Sequence, residues 1–239
     1  MKIALLGYGK MGKAINALIT KANKHSVVLK ISSNNLNDAT ISNLKEADVA
    51  IEFSKPAKVL DNINLCFEAG VPIVIGTTGW YKHLETVKKN CVDNKQAMLY
   101  ASNFSVGVNL FFKINRLVNQ LFLKYDAYDV SIEETHHTQK VDAPSGTAIS
   151  LANDILNEHP IKKTWKNELN APKEVLSILA KRETDVKGTH TVTWQSENDE
   201  ISIKHEAFNR NGFAKGAILA AEWLVGKTGC FTINDVLKI

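Results

Sequence analysis

The segment from Lys2 to Ala22 constrains the fold more than any other. Ile3, Ala4, Leu5 and Leu6 form an unbroken apolar run. Such a run reads as a short strand buried on both faces. It enters Gly7-Tyr8-Gly9-Lys10-Met11-Gly12, the GxGxxG spacing. Lys13–Ala22 follows with Ala14, Ile15, Leu18 and Ile19 at helical intervals. A glycine turn between a strand and a helix lets the backbone approach a pyrophosphate at the helix amino terminus. The same pattern also serves plain close packing, but its place at the first strand-helix junction favours dinucleotide binding.

The alternation continues. Val27–Ile31, Val49–Phe53, Val71–Ile75 and Ala97–Tyr100 read as strands. Pro56 opens a helix with Val59, Leu60, Ile63 and Phe67 on one face, and Tyr81–Asn90 is helical in character. Strands alternating with helices imply a parallel sheet covered on both faces, an α/β class. After Gly107 the rhythm changes. A helix over 109–125 leads to an alternating strand over 128–135, and Ala148, Ile149, Leu151, Ala152, Ile155 and Leu156 mark another helix. Residues 157–173 are polar and Lys-rich, and read as an exposed loop. Strands follow at 175–181, 190–195 and 201–206, the last two joined by a hairpin at Glu197–Glu200. They imply a second, open sheet. The apolar helix Phe213–Val225 needs a core and is expected to return to the first domain.

Composition narrows the function classes. Net charge is +4, with the lysines scattered, so no nucleic-acid partner is expected. No apolar run approaches the roughly 20 residues of a membrane span, and the amino terminus has no leader-like core. Cys66, Cys91 and Cys230 lie far apart, which argues against disulfides and zinc and for a cytoplasmic location.

Three polar loops follow strands: the glycine turn, Gly76-Thr77-Thr78-Gly79-Trp80, and Ala101-Ser102-Asn103-Phe104-Ser105. Loops at the carboxyl ends of parallel strands line the ligand crevice. The second strand ends in Ser32, Ser33 and Asn34, without the acidic residue that usually holds an adenosine ribose. The stretch THHTQKVDAPSGTA (135–148) is the densest in chemistry. His136, His137 and Lys140 precede a Pro-Ser-Gly-Thr turn into a helix, where the amides of Gly146 and Thr147 attract an anion. The group suits a small dianion, and a histidine there can transfer a proton near neutral pH. A metal site is not expected, because Glu133, Glu134 and Asp142 give no recognised ligand spacing. His190 and His205 read as strand residues, and His25, His83 and His159 as surface positions.

With these motifs in place, the chain resembles the dihydrodipicolinate reductase family nearly end to end. The resemblance is carried by GYGKMG, IEFSKP (51–56), VIGTTG (74–79), ASNFSVGVN (101–109), ETHHTQKVDAPSGTA (134–148) and NRNGFAKGA with AAEW (209–223). It implies a Rossmann-like dinucleotide-binding domain over 1–103 and 212–239. The α+β substrate domain, with an open mixed sheet, would span 104–211 and build a homotetramer. The implied reaction is NAD(P)H-dependent reduction of a cyclic imine dicarboxylate. By the same resemblance His136 is the general acid/base and Lys140 a proton donor that also binds substrate. His137, Gly146 and Thr147 bind substrate, while Gly7 through Gly12, Gly76, Thr77, Thr78, Ala101, Ser102, Asn103 and Phe104 bind cofactor. Ser33 stands at the ribose position, and the missing acid there gives a modest lean to NADPH over NADH. The short interval 34–50 implies that a peripheral helix or strand of longer family members is missing. A dinucleotide-sensing protein, or a two-domain oxidoreductase for another small acid, is the alternative; fold alone does not separate them.

Overall fold

Six parallel strands, nearly all of their residues apolar, build the first sheet. They are β1 (Lys2–Leu6), β2 (Ser26–Ile31), β3 (Val49–Glu52), β4 (Ile73–Ile75), β5 (Ala97–Tyr100) and, from the far end of the chain, β11 (Gly229–Thr232). The computed structural model describes residues 1–169, 171–209 and 211–239. Asn170, in the expected loop, and Arg210, in the carboxyl-terminal motif, lie outside the described residues. The chain falls into two compact units, Met1–Val106 with Asn211–Ile239, and Gly107–Arg210.

In the first unit the strand order is β11-β5-β4-β3-β1-β2. Successive side chains of a strand point to opposite faces, and β1 shows the consequence. Ile3 and Leu5 join one core with Val49, Ile51, Val74 and Leu99, while Ala4 and Leu6 join another with Ile73, Ile75 and Met98. Helix α1 (Lys10–Ala22) covers the first face through Ile15 and Ile19. Helix α7 (Asn211–Leu224) covers it through Ala214, Ala217, Ala220, Ala221 and Leu224. The other face takes Leu44 of α2 (Ile41–Leu44), α3 (Val59–Ala69) through Val59, Ile63 and Phe67, and α4 (Leu84–Asp93) through Val87 and Cys91. The small side chains of α7 let it lie close on the strands.

Between β2 and β3 the chain forms one 3-10 turn (Leu36–Asp38) and the four-residue α2, with no strand among them. Helix α1 begins at Lys10, inside the glycine turn rather than after it, because Gly9 serves as its N-cap. Neither β11 nor α8 (Ile233–Leu237) is among the elements expected from the sequence.

The second unit holds a mixed sheet of order β10-β9-β6-β8-β7. Its strands are β6 (Asp129–His136), β7 (Thr164–Lys166), β8 (Val175–Arg182), β9 (Thr189–Gln195) and β10 (Glu200–Glu206). β7 lies within the stretch expected to be loop; its three residues pair parallel to β8. One face of the sheet, with Val130, Ile132, Ile178, Val192 and Trp194, is covered by α5 (Val106–Phe122) and α6 (Gly146–Leu156) through Phe111, Leu151 and Ile155.

Candidate active site

In the first unit the chain leaves β1 for β2 on one side, then crosses to β3 on the other. That reversal opens a crevice at the carboxyl ends of the strands. The glycine turn occupies it. Gly7 has φ 108°, and a Cβ there would sit 2.2 Å from the carbonyl oxygen of Phe53. A Cβ at Gly12 would lie 2.3 Å from the carbonyl oxygen of Gly7, whereas one at Gly9 would meet nothing within 4 Å. The turn is therefore sealed on its inner side and open on its outer side. Gly9 makes no side-chain cap and the first turn of α1 has no acidic residue, so the helix terminus is free to attract an anion. These residues fit a dinucleotide pyrophosphate.

The other expected cofactor residues divide by role. Gly76 packs on the Phe53 ring, where a Cβ would sit 2.1 Å from Cε1. Thr77 is buried, its hydroxyl accepting from the Ser54 amide at 2.9 Å. Ala101 and Phe104 are buried, and the Phe104 ring meets Phe53 edge-on at 5.8 Å. The Asn103 side chain accepts from the Ser105 amide at 2.8 Å. Lys10, Ser33, Thr78 and Ser102 are exposed, while Tyr8 and Met11 are half-buried. Phe53 and Ser54, part of the IEFSKP motif but given no role from the sequence, organise this edge.

In the second unit the histidine-lysine loop leaves the end of β6. His136 is buried, and its Nε2 lies 3.3 Å from Glu134 Oε2. Glu134 precedes it by two residues on the same face of β6, so strand periodicity holds a signal for this pair. His190 comes from β9, directly opposite Glu134 in the antiparallel register. Its Nε2 stands 3.4 Å from Glu134 Oε2 and 3.3 Å from His136 Nε2. Contrary to the sequence expectation, His190 is a member of this cluster and not an ordinary strand residue. His25, expected at the surface, instead holds Glu222 at 2.7 Å with its side chain only 8% exposed, and His159 is half-buried.

Burial alone would raise the Glu134 carboxyl. Hydrogen bonds from His136, His190 and the side chain and amide of Ser145 outweigh it and hold the group well below the usual carboxylate range. His190 is pushed down from the ordinary histidine value by burial, against the pull of Glu134, with His136 and Lys140 adding to the push. The result is a buried carboxylate beside a neutral imidazole. Glu134, His136 and His190 also bring one possible metal-ligand atom each within 4.8 Å of one another. The spacing argument against a metal site missed this grouping, because it considered only the loop and not a residue from β9.

The rest of the loop is tied down. Lys140 Nζ donates to both carboxylate oxygens of Asp142 at 2.7 Å. Arg182, at the end of β8, donates to the carbonyl oxygens of Lys140 and Asp142 and lies 3.6 Å from Glu134 Oε1. Ser145 caps α6, its hydroxyl accepting from the Ala148 amide at 3.2 Å. Gly146 is exposed and Thr147 half-buried, at the first two positions of that helix. Among the described residues no group accepts from their amides, so they remain available to an anion. His137 is half-buried, its Nδ1 without a partner among the described residues.

A doubly wound sheet with a glycine cradle, and a loop built for proton transfer and anion binding, define a nicotinamide-dinucleotide oxidoreductase. Residues 1–104 match the family model described as dihydrodipicolinate reductase, N-terminus, and residues 107–237 match the one described as its C-terminus. The chain belongs to the dihydrodipicolinate reductase family. It is 46% identical to 4-hydroxy-tetrahydrodipicolinate reductase of Christiangramia forsetii, over 100% of this chain and 98% of that one. Identity to the Rickettsia rickettsii protein of the same description is 36%, over 97% and 96%. The solved dipicolinate-bound dihydrodipicolinate reductase from Paenisporosarcina sp. TG-14 shares the fold, with a TM-score of 0.80 at 23% identity, over 97% of each chain.

Proposed function

We propose that this chain reduces 4-hydroxy-tetrahydrodipicolinate to tetrahydrodipicolinate in diaminopimelate and lysine biosynthesis. One hydride and one proton enter the substrate and one water leaves; the bound dinucleotide supplies the hydride. The observation that carries the proposal is the buried Glu134–His136 contact at 3.3 Å, at the head of a loop that also presents a lysine and a free helix terminus. The carboxylate fixes the orientation of the His136 ring, and an imidazole held in this way is suited to act as general acid. Lys140, His137 and the amides of Gly146 and Thr147 are proposed to receive the substrate carboxylates. A fold relative described as dipicolinate-bound is consistent with a planar dicarboxylate ligand. In the first unit the glycine turn, Gly76–Thr78 and Ala101–Phe104 would hold the dinucleotide, with Thr77 and Phe104 acting as buried supports.

Both cofactors are proposed to serve, with NADPH favoured about tenfold, or ~1.4 kcal/mol. Ser32 spends its amide and hydroxyl on the Asn35 side chain at 2.8 Å, which leaves Ser33 and Asn34 exposed toward a ribose phosphate. Lys30, 5.5 Å over the Tyr8 ring, adds positive charge beside that of Lys10. Against this, no arginine stands in the segment to clamp a phosphate. A cytoplasmic homotetramer completes the proposal. Ser131, Glu133, Thr191 and Thr193 face away from the covered side of the second sheet, and Leu110, Ile114, Leu117 and Leu121 form an exposed stripe on α5. Light scattering on the purified chain tests the assembly.

The activity is tested by following nicotinamide absorbance with freshly generated substrate and each cofactor in turn, at matched low ionic strength. Substrate-dependent oxidation of both, faster with NADPH, is expected. No oxidation with either would refute the function, and a strong NADH preference would refute the cofactor assignment.

A further inference from the structure

The two nitrogens of His136 are not equivalent. Nε2 sits in a nearly equilateral triangle with Glu134 Oε2 and His190 Nε2, whose edges are 3.3, 3.3 and 3.4 Å. The Glu134 side chain is 0% exposed and that of His190 6%. Glu134 Oε1 accepts the Ser145 amide at 2.9 Å and faces Arg182. Among the described residues Oε2 faces the two imidazoles, and the Ser145 hydroxyl lies 3.1 Å from His190 Nε2. A buried carboxylate oxygen without donors is costly, so both imidazoles are best placed with their N–H at Nε2. For His190 a second observation agrees. Its Nδ1 is buried without a partner among the described residues, and a proton there would be an orphaned donor.

The other edge of His136 has a different neighbour. Nδ1 and Cε1 face Gly188, where a Cβ would stand 3.2 and 3.0 Å from them. Gly188 has φ 147°, a conformation that favours glycine, and the missing side chain keeps this edge uncrowded.

We propose that Glu134 and His190 are positioning residues that hold Nε2 of His136 within the sheet, so that Nδ1 is the atom that passes the proton to substrate. This rests on the acid role proposed above for His136. In the transfer the Nδ1–H bond breaks, its electron pair stays on the ring, and the proton joins the substrate. The ring is left neutral with Nε2–H still donated to Glu134. The charged and titratable groups around it are Glu134 beside it on β6, His190 from β9, Arg182 from β8 through Glu134, and Lys140, paired with Asp142, from the loop.

Two measurements on the full chain test this. In ¹⁵N imidazole NMR, neutral His136 is expected to carry its proton on Nε2; a proton on Nδ1 would overturn the proposal. In Glu134→Gln, kcat should fall about 10²-fold with dinucleotide affinity unchanged. The ¹⁵N spectrum of this variant should show the His136 proton shared between both nitrogens. A fall in kcat with the proton still wholly on Nε2 would mark Glu134 as merely structural. His190→Gln, which keeps an N–H donor, should retain most of the activity that His190→Leu loses; equal loss in both would count against the positioning role. Activity should survive dialysis against a chelator, since dependence on a metal would make the triangle a metal centre instead. The tautomer is read without turnover, so a failure of the proposed reaction is distinguishable from a failure of this inference.

Discussion

Lys140 rests against Asp142 with its ammonium 2.7 Å from both carboxylate oxygens, so binding a substrate carboxylate means exchanging one anionic partner for another. If that exchange occurs in a desolvated cleft, Lys140→Ala strands a negative charge, at a cost of roughly 2–5 kcal/mol in kcat/KM. Dinucleotide affinity should not change, and equal weakening of both would remove Lys140 from the substrate site. Acid should also loosen the fold through the cluster. The Glu134 carboxyl is held below its ordinary value of 4.5, so its contribution is complete above that pH and is lost as pH falls toward the folded value. His190 is depressed from 6.5, so below that pH the unfolded chain takes up a proton the folded one resists. Both signs agree: thermal midpoints should decline as pH falls below about 6.5. His190→Gln should flatten the upper part of that decline. The histidine-lysine loop was legible in the sequence because its residues are contiguous. His190 was not, because only the β6–β9 register carries it to Glu134 from 56 positions away.

At the scale of elements, long periodic segments and short buried apolar strands were read well, and short half-exposed ones were missed. Helix α7 was legible from its continuous apolar run, including its need for a core. β7 and β11 were not. They have three and four residues, and neither contains a fully buried position, so no periodicity distinguishes them from loop. Their pairing is decided by neighbouring strands already in place. The alanine face of α7 yields a direct test. Ala217 is 0% exposed against the first sheet, and Ala217→Leu adds volume at a position with no free space. Overpacking of this kind costs about 1–3 kcal/mol. The midpoint of chemical denaturation of the first unit should fall, with weaker dinucleotide binding. An unchanged midpoint would show that α7 does not pack tightly there.

For the whole molecule, the division of labour follows from which residues each unit carries. The first unit holds the glycine cradle; the second holds the Glu134–His136–His190 cluster and the loop to Thr147. The change from a parallel sheet to a second, mixed one was legible where strand-helix alternation gave way to consecutive strands. The central claim is that His136 supplies the proton in the reduction. Single-turnover oxidation of NADPH by freshly generated substrate, in the wild type and in His136→Gln, tests it most directly. The account predicts rapid oxidation in the wild type and a rate about 10²–10⁴-fold lower in the variant, with dinucleotide affinity and thermal midpoint near those of the parent. Equal single-turnover rates in the two proteins would contradict it.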